Sequence, residues 1–326
     1  MDRKDHEVQI KATSDIQDMK TENSILHSRL DKIPLSTMTC IPEDEADLKG
    51  IVQIAHGMCE HKERFIPFME YLCGKGYVCV IHDHRGHGAS VKCPDDLGYM
   101  SESGWRGIVD DILVVNEHIR NSFPNLPVFL FGHSMGSLAV RSFTKRYDRL
   151  LNGLIVCGSP SRNPATKAGR MLARIIASVK GERHRPSLIH KMAFESFNSR
   201  FASEGENAWL STDKNIVREY NDDPLCGYMF TANGFIGLFD LMLDTYSNEG
   251  WRVDNPSLPV HFIAGADDPC ITSCKDFAKA VDHMKTAGYT KVSSRLYDGM
   301  RHEILNETDK KRVWNDVLRT LESWSE

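Results

Sequence analysis

The feature that most constrains the fold of this chain is a glycine–serine–glycine turn, FGHSMGS at residues 131–137. A short apolar run at 126–131 leads into it and predicts a buried strand, and residues 138–147 predict a helix. A G-x-S-x-G turn between a strand and a helix exposes the Ser134 hydroxyl and directs the helix N-terminus at it. Its glycines are needed because a tight turn leaves no room for a Cβ beside the serine. The pattern indicates a nucleophilic serine; the alternative is a turn that merely connects two elements.

Strand-like and helix-like segments alternate on both sides of this turn. Such alternation gives a parallel sheet covered by helices. In front of it, residues 24–30 and 35–41 could form a hairpin. The other predicted strands are 50–55, 77–82, 126–131, 153–157, 259–264 and 291–297, and the predicted helices are 64–73, 107–121, 138–147, 273–286 and 306–324.

The alternation is interrupted between residues 161 and 250. This stretch has helix-like pieces at 169–178, 188–201 and 235–246 and no clear strand. An insert between two parts of one sheet is a cap, so we expect a helical cap at 161–250. The predicted core then comprises 21–160 and 251–326, and residues 1–20 form an N-terminal extension.

Composition limits the classes of function. The chain has 326 residues and a net charge of −5, without a basic run, so we expect no nucleic-acid partner. No apolar run is long enough to span a membrane, and the charged N-terminus does not predict a secretory signal peptide. Nine scattered cysteines without a C-x-x-C pair indicate a reducing, cytoplasmic compartment, with neither structural disulfides nor structural zinc.

A serine hydroxyl needs a base, and the base needs an orienting acid. In a parallel sheet such groups lie in loops at the carboxyl ends of strands. After strand 259–264, either Asp267 or Asp268 could be the acid, and we favour Asp268 because it follows the turn glycine by three residues. His302, in the loop after strand 291–297, completes the order serine, aspartate, histidine and is the predicted base.

A tetrahedral oxyanion also needs hydrogen-bond donors. We expect one from the backbone N–H of Met135, directly after the serine, and a second from Met58 in the loop after the first buried strand. Gly57 would let that loop approach the substrate closely. Gly57 and His133 are therefore predicted substrate contacts, together with cap residues that the sequence does not single out.

A second group of polar residues follows strand 77–82. His82, Asp83, His84 and His87 could be metal ligands, since imidazole and carboxylate suit zinc. We favour a loop that is locked by hydrogen bonds beside the site. Because no nucleotide-binding glycine motif follows a strand, we expect neither a cofactor nor a metal.

With these motifs in place, the chain resembles the α/β-hydrolase superfamily, in particular the group of monoacylglycerol lipases, lysophospholipases and serine aminopeptidases. The resemblance implies Ser134, Asp268 and His302 as a catalytic triad, Met58 and Met135 as oxyanion donors, and a helical cap over an acyl pocket. The matching stretches are HGMCEH at 56–61 with Arg64-Phe65, DHRGHGAS at 83–90, GHSMGS at 132–137, GADDP at 265–269 and RHE at 301–303.

The chain departs from the group's pattern at two places. Cys59 stands where monoacylglycerol lipases usually have glycine or alanine. In the cap, AWLS at 208–211 and DPLCG at 223–227 resemble a bacterial branch of the group instead. Since the cap lines the pocket, the substrate is less constrained than the chemistry.

The expected activity is hydrolysis of carboxylic esters, such as a monoacylglycerol or a lysophospholipid, through an acyl-enzyme on Ser134. The partner is then a small acyl ester. Met171, Leu172 and Ile175 could form an apolar rim that transiently contacts membranes or micelles, or they could pack against the core.

Two rival functions use the same scaffold. An aminopeptidase or amidase would need a carboxylate for the free amine, for which Glu195, Glu204 and Asp240 are candidates. A catalytically inactive binding module is the other alternative, although every position of the triad is filled.

Overall fold

The computed structural model describes residues 19–325, which are built around one eight-stranded sheet. Six consecutive strands, β3 to β8, pair in parallel, and β1 and β2 form an antiparallel hairpin that joins β4. The strands are β1 (Met19–His27), β2 (Pro34–Pro42), β3 (Gly50–Ala55), β4 (Tyr77–His82), β5 (Val128–His133), β6 (Gly153–Cys157), β7 (Val260–Gly265) and β8 (Val292–Tyr297). Their order across the sheet is β1-β2-β4-β3-β5-β6-β7-β8. The predicted mostly parallel sheet is confirmed.

Nine α-helices lie within residues 19–325, and they cover both faces of the sheet. The strands β3, β4, β5 and β6 are buried throughout, as expected for parallel strands with helices on each side. The helices are α1 (Ile66–Cys73), α2 (Gly104–Ser122), α3 (Met135–Tyr147), α4 (Thr166–Lys180), α5 (Ser187–Phe194), α6 (Lys214–Asp222), α7 (Ala232–Thr245), α8 (Cys274–Ala287) and α9 (Lys310–Ser325). None of these described helices combines the length and the apolarity that a membrane crossing requires.

The N-terminal boundary differs from the prediction. Residues 1–18 of the expected extension lie outside the described residues, and Met19 and Lys20 already belong to β1. Most side chains of this edge strand are exposed, so its sequence lacks the apolar alternation that would have extended the predicted strand.

The strand order reverses beside β3. The chain moves from β3 to β4 on one side and then returns to β5 on the other. In open α/β sheets the crevice at such a reversal, at the carboxyl ends of the strands, is where ligands bind. The loop that follows β3 therefore lies next to the turn that carries Ser134 at the end of β5.

The connection from β6 to β7 contains α4, α5, α6 and α7. Three of these helices correspond to predicted pieces, although α5 ends at Phe194 rather than near 201. Helix α6 was not predicted, because its residues are largely polar and Tyr220 is its only buried side chain. We call residues 161–250 the insert, and the rest of the described chain the core.

Candidate active site

Ser134 occupies a strained turn between β5 and α3. Its backbone has φ 53° and ψ −119°, a conformation that is costly for a residue with a side chain. The Ser134 N–H donates to the Cys157 carbonyl at 2.9 Å, which ties the turn to β6. A Cβ on Gly136 would collide with the carbonyl oxygens of Ala55 and His56. This motif glycine is thus required by a close approach of β3 to the start of α3.

His302 and Asp268 form a buried pair beside this turn. The imidazole Nδ1 of His302 lies 2.9 Å from Asp268 Oδ2, and the other oxygen of Asp268 accepts from the N–H of Cys270 at 2.8 Å. Asp267 instead pairs with Arg200 at 3.0 Å and is partly exposed. Of the two candidate acids, the structure therefore brings Asp268 to the histidine.

Ser134 and His302 line one cavity of about 1250 Å³, which Asp268 also borders. Within residues 19–325 no hydrogen bond joins the Ser134 hydroxyl to His302; such bonds are often long until substrate is bound. The ring of His302 packs between those of His133, at 4.8 Å, and Trp209, at 5.0 Å. The sequence analysis did not predict that Trp209, a residue of the insert, would pack against His302.

The predicted oxyanion donors border the same cavity. In the part of the chain that the structure describes, neither the N–H of Met58 nor that of Met135 has a hydrogen-bond acceptor. A Cβ on Gly57 would press on Ser134 Cβ and on the Glu60 carboxylate. The glycine therefore lets the loop after β3 pass directly over the serine, as expected.

A buried charge network lies behind the loop after β3. The Glu60 carboxylate accepts from the N–H of Gly57 and lies 2.9 Å from His133 Nδ1. Arg64 lies between Glu60 and Glu303, the residue that follows His302. The sequence motifs contain these residues, but their pairing joins segments that are distant along the chain.

The pKa values of this network describe an ion pair. Burial by itself would raise the pKa of Glu60, but the charge of His133, its hydrogen bond and then Arg64 lower it to about 2. Burial by itself would lower the pKa of His133, and the Glu60 carboxylate raises it above its ordinary value. The two opposite shifts favour the charged forms of Glu60 and His133 beside the serine turn.

The histidines after β4 lock the neighbouring loops. His84 donates its backbone N–H to His56 Nε2 at 2.9 Å, and His56 Nδ1 donates to the carbonyl of Gly57 at 2.8 Å. The Asp83 carboxylate accepts from both the backbone N–H and the ammonium of Lys62, each at 2.8 Å. These bonds support the interpretation as a locked loop.

The metal alternative for this group is not supported by its geometry. Among the described residues, His82, Asp83, His84 and His87 do not converge into a set of metal-ligand atoms. Burial, with a further contribution from Arg85, lowers the pKa of His82 to about 3, and burial lowers that of His87 to about 4. These two imidazoles are neutral near pH 7.

Most of the remaining cavity wall comes from the insert. Apolar side chains of three helices line it. Glu195 also borders the cavity, whereas Glu204 pairs with Arg301 and Asp240 pairs with Arg170, each at 2.7 to 2.8 Å. The apolar lining includes Leu172, Ile189, Phe194, Leu238, Phe239 and Met242.

Comparisons with known proteins agree with this architecture. The chain is 25% identical to the monoacylglycerol lipase of Mycolicibacterium smegmatis over 283 residues, which are 86% of this chain and 90% of the relative. It is 26% identical to the monoglyceride lipase of Homo sapiens over 284 residues, 85% of this chain and 82% of that protein.

Solved structures show the same fold. A thermostable carboxyl esterase from Bacillus coagulans superposes with a TM-score of 0.86 at 23% identity, covering 94% of this chain and 99% of its own. A soluble variant of the monoglyceride lipase from Saccharomyces cerevisiae superposes with a TM-score of 0.70 at 19% identity, covering 96% and 98%.

A family model gives the most direct assignment. The model described as "Serine aminopeptidase, S33" matches residues 46–309, which include the serine turn, both members of the aspartate–histidine pair and the whole insert. The match covers most of the chain. The chain therefore belongs to the serine aminopeptidase S33 family of α/β-hydrolases.

Proposed function

We propose that Ser134, Asp268 and His302 are the catalytic triad of this protein, a serine hydrolase of carboxylic esters, and that its substrates are monoacylglycerols or similar single-chain acyl esters. The observation that carries the proposal is the buried pair of His302 and Asp268 on the cavity that Ser134 lines. The relatives in Mycolicibacterium smegmatis and Homo sapiens are monoacylglycerol lipases, which supports the substrate class.

The proposed chemistry follows from the contact that His302 already makes with Asp268. Nδ1 of His302 faces Asp268, so Nε2 takes the proton as Ser134 Oγ attacks the ester carbonyl carbon. The oxyanion of the tetrahedral intermediate accepts from the N–H groups of Met58 and Met135. His302 then protonates the leaving alcohol, and a water molecule, deprotonated by the same imidazole, releases the fatty acid from the acyl-enzyme.

The insert is proposed to act as a cap that holds the acyl chain. A cavity of about 1250 Å³ is larger than most small-molecule sites, which span about 300 to 1,000 Å³, and the insert contributes most of its apolar wall. Burial of each methylene of the chain in such a wall contributes about 0.8 kcal/mol. The enzyme should therefore prefer long acyl chains over acetate.

A chain-length series with a labelling control tests this function. We expect the kcat/KM for p-nitrophenyl esters and monoacylglycerols to rise from acetyl to longer chains, and a fluorophosphonate probe to label the protein. Ser134→Ala should abolish both turnover and labelling, while Ser196→Ala, a serine on the same cavity, should retain them. Equal activity of Ser134→Ala would refute the triad, absence of labelling would favour an inactive scaffold, and a flat chain-length series would refute the acyl pocket.

Aminopeptidase activity is the second candidate, and Glu195 is the observation that favours it. Among the described residues Glu195 is the one of the three candidate carboxylates without an ion-pair partner, since arginines neutralise Glu204 and Asp240. Hydrolysis of aminoacyl-coumarin amides that Glu195→Gln abolishes, with ester hydrolysis retained, would establish this activity. We expect amide turnover to be far slower than ester turnover.

A further proposal concerns the apolar residues on the surface of α4. Met171 and Ile175 on α4 are exposed, whereas Leu172 packs against the main hydrophobic cluster, so two of the three residues of the expected rim face solvent. We propose that this rim contacts membranes or micelles transiently.

We also propose a cytoplasmic location for the protein. All nine cysteines lie in the described residues, and none forms a disulfide there, which is typical of a reducing compartment. Cell fractionation tests this location.

A further inference from the structure

Outside the proposed triad, three side chains with metal-binding atoms meet where the insert contacts the core. They are His61 from the loop before α1, and Asp223 and Cys226 from the turn after α6. His61 Nε2 lies 2.8 Å from Asp223 Oδ2, and the ligand atoms of all three residues lie within 4.8 Å of one another. His61 and Cys226 are buried, and Asp223 is partly buried.

The turn after α6 presents its two side chains to the same point. The Cys226 N–H donates to the Asp223 carbonyl at 3.0 Å, and Asp223 Oδ1 accepts from the N–H of Leu225 at 2.8 Å. The next N–H, that of Gly227, donates to the carbonyl of Cys59 at 3.1 Å. A carboxylate and a thiol three residues apart on a tight turn are thereby held against the loop that carries His61.

A carboxylate also orients the histidine from behind. His61 Nδ1 lies 2.6 Å from Glu63 Oε2, on the side of the ring away from Asp223. Metal-binding histidines in proteins almost always donate their second ring N–H to such a carboxylate, carbonyl or water. Glu63 therefore supplies the outer partner that fixes the ring with Nε2 toward Asp223 and Cys226.

We propose that His61, Asp223 and Cys226 form a site for a divalent transition-metal ion, Zn²⁺ in the first instance, with a water molecule as the fourth ligand. Histidine nitrogen, thiolate and carboxylate oxygen are the ligands that zinc takes in proteins. Tetrahedral zinc places its ligand atoms about 3.3 to 3.8 Å apart. His61 Nε2 and Asp223 Oδ2 must therefore separate by about 0.5 Å, and no pair of ligand atoms has to close by more than about 1.5 Å.

The charge of the cluster is compatible with the replacement of its protons by a metal ion. Binding of the metal releases the thiol proton of Cys226 and the proton that His61 Nε2 shares with Asp223. Two protons leave as one divalent cation arrives, so the net charge of this largely buried group does not change. The metal would join the insert to the loop that contains Met58, and the site does not depend on the proposed ester hydrolysis.

A cobalt titration of the full chain, freed of metal by a chelator, tests the site, because Co²⁺ bound to a thiolate gives a charge-transfer absorption band. We expect one equivalent of Co²⁺ with this band in the wild-type protein, and displacement by Zn²⁺, which binds such sites more tightly. Cys226→Ser should lose the band, whereas Cys274→Ser, at an exposed cysteine, should keep it. Glu63→Gln should weaken binding by about 10- to 100-fold.

A second variant keeps the test decisive if Cys226→Ser does not fold. Asp223→Asn preserves the shape of the side chain and should weaken Co²⁺ binding while the circular dichroism spectrum stays native. Absence of stoichiometric binding by the wild-type protein, or a band that survives in Cys226→Ser, would overturn the proposal. So would a band lost in Cys270→Ser alone, because it would place the ion at Asp268 and His302.

Discussion

The cavity has one wall from the core and one from the insert, and the two walls differ in the residues they carry. The core wall carries Ser134, Asp268 and His302 on buried loops, backed by the ion pair of Glu60 and His133. The insert wall contributes most of the apolar lining of the cavity, together with polar residues such as Glu195, and its helix α4 also presents apolar side chains to solvent. Under the proposed function, the core determines the reaction, whereas the insert determines which molecules reach the triad and from where.

The two walls are joined at the loop that carries His302. The Glu303 N–H donates to the carbonyl of Leu210 at 2.7 Å, and Arg301 donates to the carbonyl of Ala208 at 2.6 Å while it stacks on the ring of Phe201. The segment of the insert from Phe201 to Leu210 therefore positions the loop of His302. If the walls differ as described, substitutions on the core side should affect all esters equally, and those on the outer face of α4 only dispersed lipids.

The largest effect is expected at the acid of the proposed triad. Asp268→Asn preserves the shape of the side chain but favours the wrong tautomer of His302, so kcat should fall on the order of 10⁴-fold for soluble and dispersed esters alike. Asp267→Asn removes only a partly exposed ion pair with Arg200 and should change kcat by no more than about two-fold. Steady-state kinetics on both substrate types would contradict the assignment if the two variants behaved alike.

The next largest effect is expected at Glu60, which we expect to position the loop after β3 rather than to contact the substrate. Glu60→Gln removes the carboxylate that pairs with His133 and weakens the hydrogen bond from Gly57. Misplacement of the loop after β3, which carries the proposed oxyanion donor Met58, should lower kcat by roughly 10- to 100-fold, with KM little changed. Glu70→Gln, at an exposed carboxylate on α1, is the matched control. A change confined to KM would indicate a binding role instead.

The buried histidines should make the core sensitive to acid. The pKa of His82 in the folded chain is about 3 and that of His87 about 4, both below the ordinary value, so the unfolded chain binds more protons between pH 6.5 and those values. The free energy of unfolding must therefore decrease as the pH falls through this window. Each histidine contributes about 1.4 kcal/mol per pH unit, or about 2 kcal/mol between pH 6.5 and pH 5.

Urea unfolding at pH 7, 6 and 5 measures this dependence. His82 is buried and, within the described chain, has no hydrogen bond on either ring nitrogen, so His82→Leu should change stability little at pH 7 and flatten the decline toward pH 5. His118→Gln, at an exposed histidine of α2, should leave the decline as it is in the wild-type chain. An identical decline in His82→Leu would show that other groups dominate.

The sequence predicted the sheet and the placement of the proposed triad because both depend on local patterns and chain order. It did not reveal the pairing of Glu60 with His133, which joins residues 73 positions apart, or the arginines that neutralise Glu204 and Asp240. The first residues of edge strand β1 and the whole of helix α6 were not predicted, for a different reason. Their exposed, polar residues carry little of the apolar periodicity on which such predictions depend.

The outer face of α4 should give the smallest effect and the most selective one. Met171, Ile175 and Val179 follow one another at four-residue spacing and are between 50% and 76% exposed. Replacing all three with glutamine removes apolar surface that could enter a lipid interface, so binding to monoacylglycerol-containing vesicles should weaken by about ten-fold. Turnover of a soluble short-chain ester should stay the same, because none of these side chains lines the cavity.

Vesicle co-sedimentation and kinetics on both substrates separate the possibilities for this face. Ser178→Gln, at an exposed polar position of the same helix, should behave as the wild-type chain. Loss of activity toward the soluble ester as well would mean that the face supports the fold of the insert. Unchanged vesicle binding would mean that lipids reach the cavity without it, and the contrast between the two walls would then be confined to the interior of the cavity.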